Sequence, residues 1–204
     1  MQLYHFTNLL SLPAILREGI TTGEVPISPN LAYSQRPSAA NLTTNGDPAA
    51  QDVWTGGPTN KIAIRLTVEL PVEELTSFRE VKEKYRIRSS WLKLIAPYEH
   101  RRHWYFAMNG VRPEQIEKVE LLDNGQYRQL SPVEVQKLVA WIEAEVAEKL
   151  EFSSITSGPV AGARAFRLKG LFTDSWLMDG PAFRAEEFGT APAYPWQQQD
   201  ALAA

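Results

Sequence analysis

The histidine and threonine of the opening segment Tyr4-His5-Phe6-Thr7 are the first side chains in this sequence that could do chemistry. A neutral imidazole can donate a hydrogen bond from one ring nitrogen and accept one at the other, which suits a sugar diol. The hydroxyl of Thr7 can add a polar contact two residues further along. The alternative is a half-buried histidine at a strand end that binds no ligand.

These side chains are predicted to lie on a strand that leads directly into a helix. Residues 4–7 form an aromatic and β-branched run, which is typical of a half-buried strand. Ser11 can then cap a helix, Pro13 is tolerated in its first turn, and Gly19 supplies a left-handed stop. The apolar positions of this helix, Leu12, Ile15 and Leu16, fall on one face.

The pattern Tyr-His-x-Thr, followed about eight residues later by Ile-Leu-x-x-Gly-Ile, resembles the opening of the ADP-ribosyltransferase superfamily. The closest likeness in this motif is to the DNA-modifying toxins and the tRNA 2′-phosphotransferases. The resemblance implies an α+β fold with a split β-sheet core and short helices, and it implies NAD as a substrate. It also implies that His5 hydrogen-bonds the adenosine ribose of NAD and that Thr7 helps to hold the nucleotide.

A second set of polar residues lies between Gly23 and Thr59, a segment rich in residues that favour loops. Within it, residues 39–44 could form a short strand that ends in two hydroxyls. By the same resemblance, the second motif of the nucleotide site would fall on Thr43, Thr44, Gln51 and Trp54. The segment Val25–Ser28 is a rival for this role.

The length of this loop has its own implication, because long loops with few core residues are often functional. By the resemblance, the loop could close over the nicotinamide of NAD, with Tyr33, Arg36 or Trp54 touching the ligand. The alternative is a solvated insertion without a role in binding.

The segment Lys61–Leu70 is the clearest strand in the sequence, because apolar residues alternate with polar ones along it. This alternation predicts one buried and one polar face. Arg65 on the polar face could bind a phosphate, although a paired arginine is the commoner outcome. Further along, Ser89 or Ser90 could cap a helix that Pro97 ends, and the residues predicted to point inward are Trp91, Leu94 and Ile95.

The segment from His103 to Ile116 is predicted to be an aromatic strand, a glycine turn and a proline-initiated turn, and a further strand covers residues 118–122. The resemblance continues here, but the superfamily places its catalytic glutamate near Trp104 or Tyr105, and no carboxylate stands there. Two substitutes are available, Tyr105 on the strand and Glu99 several residues earlier. A carboxylate that stabilises transition-state charge contributes about 3 to 4 kcal/mol, and neutral tyrosine cannot supply that charge.

The C-terminal part is predicted to be structural. Ser131-Pro132-Val133-Glu134 is a capping box with proline at the first helical position, and the amphipathic helix that follows is predicted to run to about Leu150. The predicted organisation is an ADP-ribosyltransferase-like domain over residues 1–125, the packed helix within 126–151, and an irregular, partly packed extension over 152–204. The apolar patches of this extension could meet a protein partner.

Composition limits the classes of function that remain. The chain has 204 residues, a net charge of −3, no cysteine and three histidines, which excludes disulfides and thiol nucleophiles and disfavours a zinc site. No long basic run supports a broad grip on nucleic acid, although a local basic patch could exist. No apolar segment is long enough to span a membrane and no signal peptide is evident, so we expect a cytoplasmic protein without membrane partners.

The sequence thus favours an NAD-dependent ADP-ribosyltransferase that modifies a protein or nucleic-acid acceptor, in the manner of a toxin or defence effector. His5 and Thr7 would bind the adenosine side of NAD, Thr44 and an aromatic residue would frame the nicotinamide, and Glu99 is the reserve carboxylate. A catalytically silent, regulatory NAD-binding or nucleotide-binding domain is the alternative, and the missing glutamate favours it. An RNA 2′-phosphotransferase-like enzyme is the third hypothesis.

Overall fold

The computed structural model describes residues 1–21, 23, 25–28, 36–54, 61–123, 125–146, 150–154, 164–168 and 177–178. Over these residues the chain is α+β, as predicted, and is built on a seven-stranded antiparallel sheet. From edge to edge the strands are β4 (Leu75–Ser77), β5 (Trp104–Ala107), β2 (Ala40–Thr43), β1 (Gln2–Thr7), β3 (Ile64–Glu69), β6 (Ile116–Asp123) and β7 (Gln126–Gln129). The strand β1, which carries His5, therefore lies at the centre of the sheet.

Short helices connect these strands. They are α1 (Leu12–Glu18), α2 (Phe78–Lys84), α3 (Ser89–Ile95), α4 (Tyr98–Arg101) and α5 (Pro132–Trp141), with single 3₁₀ segments at Leu9–Ser11, Pro48–Trp54, Val72–Glu74 and Pro113–Gln115. A separate three-stranded antiparallel sheet consists of β8 (Leu150–Ser154), β9 (Arg164–Leu168) and β10 (Leu177–Met178). No helix in the described part of the chain combines the length and apolar character needed to cross a membrane.

Two hydrophobic cores cover the two faces of the large sheet. On one face the inward side chains of β1 and β3, such as Leu3 and Leu66, pack with α1 and with Leu138 of α5. On the other face Trp104 and Phe106 of β5 pack with α2 and α3. Neighbouring residues of β5 point to opposite faces of the sheet. The side chain of Tyr105 therefore lies on the first face, although Trp104 and Phe106, its neighbours in the sequence, lie on the other.

The predicted unit of strand, helix and glycine turn is present at the N-terminus, but its cap was wrongly assigned. Asn8 rather than Ser11 provides the cap, because its Oδ1 accepts a hydrogen bond from the backbone N–H of Ser11 at 2.9 Å, and a 3₁₀ turn leads into α1. Gly19 ends the helix with φ at +83°, and a Cβ there would meet the backbone carbonyl of Val111. Glycine is therefore required at this position on two counts.

Three further expectations differ in part from the structure. In β3 the predicted alternation is present, because Ile64, Leu66 and Val68 are buried and Glu69 is exposed, but Thr67 on the polar face is 1% exposed. In α3 Trp91 and Ile95 pack against the core as predicted, but Leu94 is 80% exposed and Leu92 is fully buried. The α-helix α5 ends at Trp141 with a π-helical turn over Ile142–Val146, and Leu150 already begins β8. Strands β8 to β10 also occupy a region that was predicted to be mainly irregular.

Candidate functional site

The seam between β1 and β2 has the fewest paired residues of any junction in the large sheet. These strands share one register pair, Tyr4 with Thr43, whereas β1 and β3 are paired at every position from Gln2 to Thr7. One residue beyond that pair, the imidazole Nδ1 of His5 lies 2.9 Å from the backbone oxygen of Asn41. A side chain thus takes the place of a backbone partner at the seam.

The hydrogen bond fixes the chemical state of His5. A carbonyl oxygen only accepts, so Nδ1 carries the proton and Nε2 is left as an acceptor in the neutral ring. Burial lowers the pKa of His5, and this effect outweighs the Asn41 hydrogen bond, which raises the pKa; the charge of Lys61 lowers it further. Among the described residues Nε2 has no hydrogen-bond partner, and His5 does not line either of the two clefts described below.

His5 and Tyr105 lie in one row across one face of the sheet. Tyr105 pairs with Leu42 on one side and with Ser77 on the other, and continuation of the β1–β2 register places Leu42 beside His5. Paired residues of antiparallel strands share a face. Two strand spacings separate His5 from Tyr105, which is about 10 Å. The structure therefore brings these two predicted site residues to the same face.

Tyr105 lines a cleft of about 550 Å³ at the edge of the sheet. Val72, Leu75 and Ser77 form one wall, and the other residues lining it, Arg79, Glu80 and Glu83, come from the first two turns of α2. Two carboxylates, Glu80 and Glu83, thus share a cleft with Tyr105, and neither was among the predicted site residues. The sequence feature that could have indicated Glu80 is the capping box Ser77-x-x-Glu80, which predicts the start of a helix at this position.

Both carboxylates already have partners. Glu80 accepts hydrogen bonds from the backbone N–H and the hydroxyl of Ser77, each at 2.7 Å, and these bonds lower the pKa of the Glu80 carboxyl. Glu83 accepts from Nε of Arg79 at 3.1 Å on the exposed surface of α2. At neutral pH Glu80 is therefore held ionised, and its local role is to cap the helix.

The predicted threonines lie at two different ends of the β1–β2 seam. Thr7 is 6% exposed and lies at the end of β1, whereas Thr43 is 4% exposed beyond His5 in the other direction. The hydroxyl of Thr43 accepts from the backbone N–H of Asn45 at 3.1 Å. Thr44 shares a hydrogen bond of 2.8 Å with Nδ1 of His103. The structure does not bring Thr7 and Thr43 together.

The remaining predicted site residues are dispersed. Glu99 is exposed on α4 and is not among the residues that line the Tyr105 cleft. Arg36 is half-buried. Trp54 ends the 3₁₀ segment and its side chain lies outside the described residues, as does the whole of Tyr33. Gln51 is 3% exposed and donates to the backbone oxygen of Asn45 at 3.2 Å, so it fixes the loop after β2.

The rival segment Val25–Ser28 has a structural role. Val25 is fully buried in the core that covers β5, and the backbone oxygen of Pro26 accepts from the indole of Trp91 at 3.1 Å. This segment therefore packs on α3.

Arg65 is paired within the protein. Its Nε and Nη2 donate to the two carboxylate oxygens of Glu120 at 2.8 and 2.7 Å, and its Nη1 donates to the backbone oxygen of Gly46 at 2.6 Å. The guanidinium lies 5.0 Å from the ring centre of Tyr4 and 4.3 Å from that of Tyr127. The Glu120 hydrogen bond raises the pKa of Arg65. These contacts join β1, β3, β6, β7 and the loop after β2.

The candidate site therefore consists of His5 at the seam, Tyr105 in the same row, and the α2 carboxylates beside Tyr105. Comparison of this chain with protein-family models, with curated proteins and with solved structures found no match.

Proposed function

We propose that this chain is an NAD-dependent ADP-ribosyltransferase. The observation that carries the proposal is the state of His5. Its Nδ1 donates to Asn41 at the junction with the fewest paired residues, and its pKa is lowered by burial, so a neutral Nε2 remains to accept from a ribose hydroxyl.

In the proposed reaction the bond between the nicotinamide nitrogen and C1′ of its ribose breaks, and nicotinamide leaves with the electron pair. Positive charge grows on the ribose, and a nucleophile of the acceptor attacks C1′ from the opposite face and loses its proton. Tyr105 would donate to a hydroxyl of that ribose. Glu80 or Glu83 would stabilise the positive charge, because both line the cleft that contains Tyr105, whereas Glu99 does not.

The second candidate is a silent domain that binds NAD and does not cleave it. Two observations favour it. No carboxylate stands on β5, and the two carboxylates of α2 are occupied by Ser77 and Arg79. Transfer of ADP-ribose would require Glu80 or Glu83 to leave its hydrogen-bond partner. If both carboxylates stay paired, the protein would bind NAD without cleaving it.

Two variants of His5 test the binding mode by calorimetric titration with NAD. His5→Asn keeps a donor near the position of Nδ1 but removes the acceptor, so we expect NAD binding to be lost. His5→Gln carries an oxygen near the position of Nε2 but loses the bond to Asn41, so we expect weaker, measurable binding. His100→Asn is the matched control, because His100 lies on α4 outside this row. Binding that survives in His5→Asn would refute the assigned role.

An assay of nicotinamide release separates the two candidate functions. If the chain transfers ADP-ribose, it should release nicotinamide from NAD, and Tyr105→Phe and Glu80→Gln should both slow that release. If the domain is silent, it should bind NAD and release no nicotinamide. Incubation of labelled NAD with a lysate, followed by separate nuclease and protease treatment, identifies the class of acceptor.

A further inference from the structure

Positive charge is concentrated in the segment that forms α2, α3 and α4. Residues 79–103 contain eight lysines and arginines and three glutamates, a net charge of +5, whereas the whole chain has −3. The rest of the chain therefore carries −8. Such an asymmetry indicates a local surface for a polyanion in a protein that is acidic overall.

A cleft of about 510 Å³ lies within this segment, between α2 and α4. We call it the basic cleft. Its cationic residues are Arg79, Lys82, Arg86 and Arg101, its carboxylate is Glu83, and Phe78, Ile87 and Tyr98 complete the lining. Arg79 is paired with Glu83. Among the described residues Lys82, Arg86 and Arg101 form no salt bridge, although the nearby charge of Glu99 acts on Arg101 and raises its pKa against the effect of burial.

Arg101 is an unusual member of this cleft because it is 8% exposed. Its Nε donates to the backbone oxygen of Ala96 at 2.8 Å, and its guanidinium lies 5.6 Å from the ring centre of Phe78 and 6.0 Å from that of Tyr98. Its two terminal nitrogens have no hydrogen-bond partner among the described residues. Burial also lowers the pKa of Arg101. A bound anion would offset this burial and accept from the terminal nitrogens.

Arg86 adds an independent observation. It lies just after α2 with φ at +50°, the one described residue other than glycine with a positive φ. The backbone N–H of the next residue, Ile87, donates to the backbone oxygen of Lys82 at 3.0 Å. Helices that end with this hydrogen bond usually have glycine at the position with positive φ. Arginine is strained in this conformation, and such strain often marks a functional side chain.

We propose that the basic cleft binds single-stranded nucleic acid. Lys82, Arg86 and Arg101 contact its phosphates, and Tyr98, which is 63% exposed beside them, stacks on a base. An aromatic platform next to unpaired cations distinguishes this ligand from a free phosphate, which has no base to stack.

The basic cleft also adjoins the Tyr105 cleft, because Arg79 and Glu83 line both. A single nucleic-acid strand bound in the basic cleft can therefore continue past α2 to Tyr105. The role of this nucleic acid as the acceptor of ADP-ribose rests on the proposed function, whereas its binding to the cleft does not.

Fluorescence anisotropy with labelled 20-nucleotide single strands of DNA and RNA tests this inference on the full chain. We expect binding that weakens with salt, and Arg86→Gln should weaken it about fivefold and reduce the salt slope by about 0.7, the share of one phosphate contact. Arg112→Gln is the control for the loss of one exposed arginine, because Arg112 pairs with Glu114 outside the cleft. Arg86→Gly should bind as weakly as Arg86→Gln and melt no lower than the wild type, because glycine relieves the positive φ.

Equal effects of Arg86→Gln and Arg112→Gln would overturn the inference, as would an absence of binding. Binding of vesicles with anionic lipid, without binding of either oligonucleotide, would assign the cleft to a membrane surface and also overturn it. Oligonucleotide binding without nicotinamide release would contradict the proposed function and leave the cleft assignment intact. Release of nicotinamide without oligonucleotide binding would overturn the cleft assignment and leave the proposed function intact.

Discussion

The pH dependence of folding provides a direct test of the state of His5. An unfolded histidine takes up its proton near its ordinary pKa of 6.5, but burial in the folded chain lowers that pKa. The unfolded state then binds more protons below about pH 6.5, so the free energy of unfolding falls as the pH falls. Between about pH 7.5 and 5.5 the loss through this residue reaches at most about 1.4 kcal/mol, the limit at which folded His5 stays neutral.

The test compares urea denaturation of the wild type and His5→Asn at both pH values. Asparagine does not titrate and can keep the donation to Asn41, so the two proteins should have similar stability at the higher pH. At the lower pH the variant should be more stable than the wild type by up to about 1.4 kcal/mol. Because the other titrating groups are common to both proteins, their effects cancel in the difference. Two parallel pH profiles would show that the ring is not held neutral by the fold.

Three further predictions concern the fold and are checked by chemical denaturation. Glu120→Gln leaves a half-buried arginine without its carboxylate and should cost about 2 kcal/mol; a loss below about 0.5 kcal/mol would mean that the pair contributes little. Gly125→Ala, at a positive φ with open space around it, should cost about 1 kcal/mol, and Gly19→Ala should cost about 2 kcal/mol more because its Cβ meets a backbone carbonyl; equal costs would refute the steric argument. Leu92→Ala should cost about 3 kcal/mol and Leu94→Ala under about 0.5 kcal/mol, because the first is buried and the second is exposed; the reverse order would restore the helix face predicted from the sequence.

Local patterns predicted the elements of the fold better than their faces. The strands at β1, β3 and β5 follow from runs of alternating or aromatic residues, and the capping box at Ser131 is present with both of its hydrogen bonds. The burial of single residues was harder to predict. Leu94 of α3 is exposed although it was expected to point inward, and Thr67 is buried on the polar face of β3. The burial of each residue in a short element depends on which distant segments pack against it. Long-range packing of this kind leaves no periodic signal.

The candidate site was predictable in part. The sequence identified His5 and Tyr105, and the strand order places them on one face two strands apart. It did not identify Glu80 and Glu83, because α2 precedes β5 by about twenty residues and reaches Tyr105 only through the pairing of Ser77 in β4. Glu80 and Glu83 lie on α2, so their approach to Tyr105 depends on the tertiary structure and not on spacing along the chain.

Under the proposed function, the imidazole of His5 would contribute both to the stability of the β1–β2 seam and to ligand binding. A buried carbonyl without a partner is costly. At this seam Nδ1 of His5 satisfies the oxygen of Asn41 and so joins β1 to β2 where their backbone pairing is limited to one register pair. The same bond determines that Nε2 is the acceptor. A substitution at His5 should therefore change stability and nucleotide binding separately, according to which nitrogen it replaces, and a residue with a purely structural role would not allow this separation.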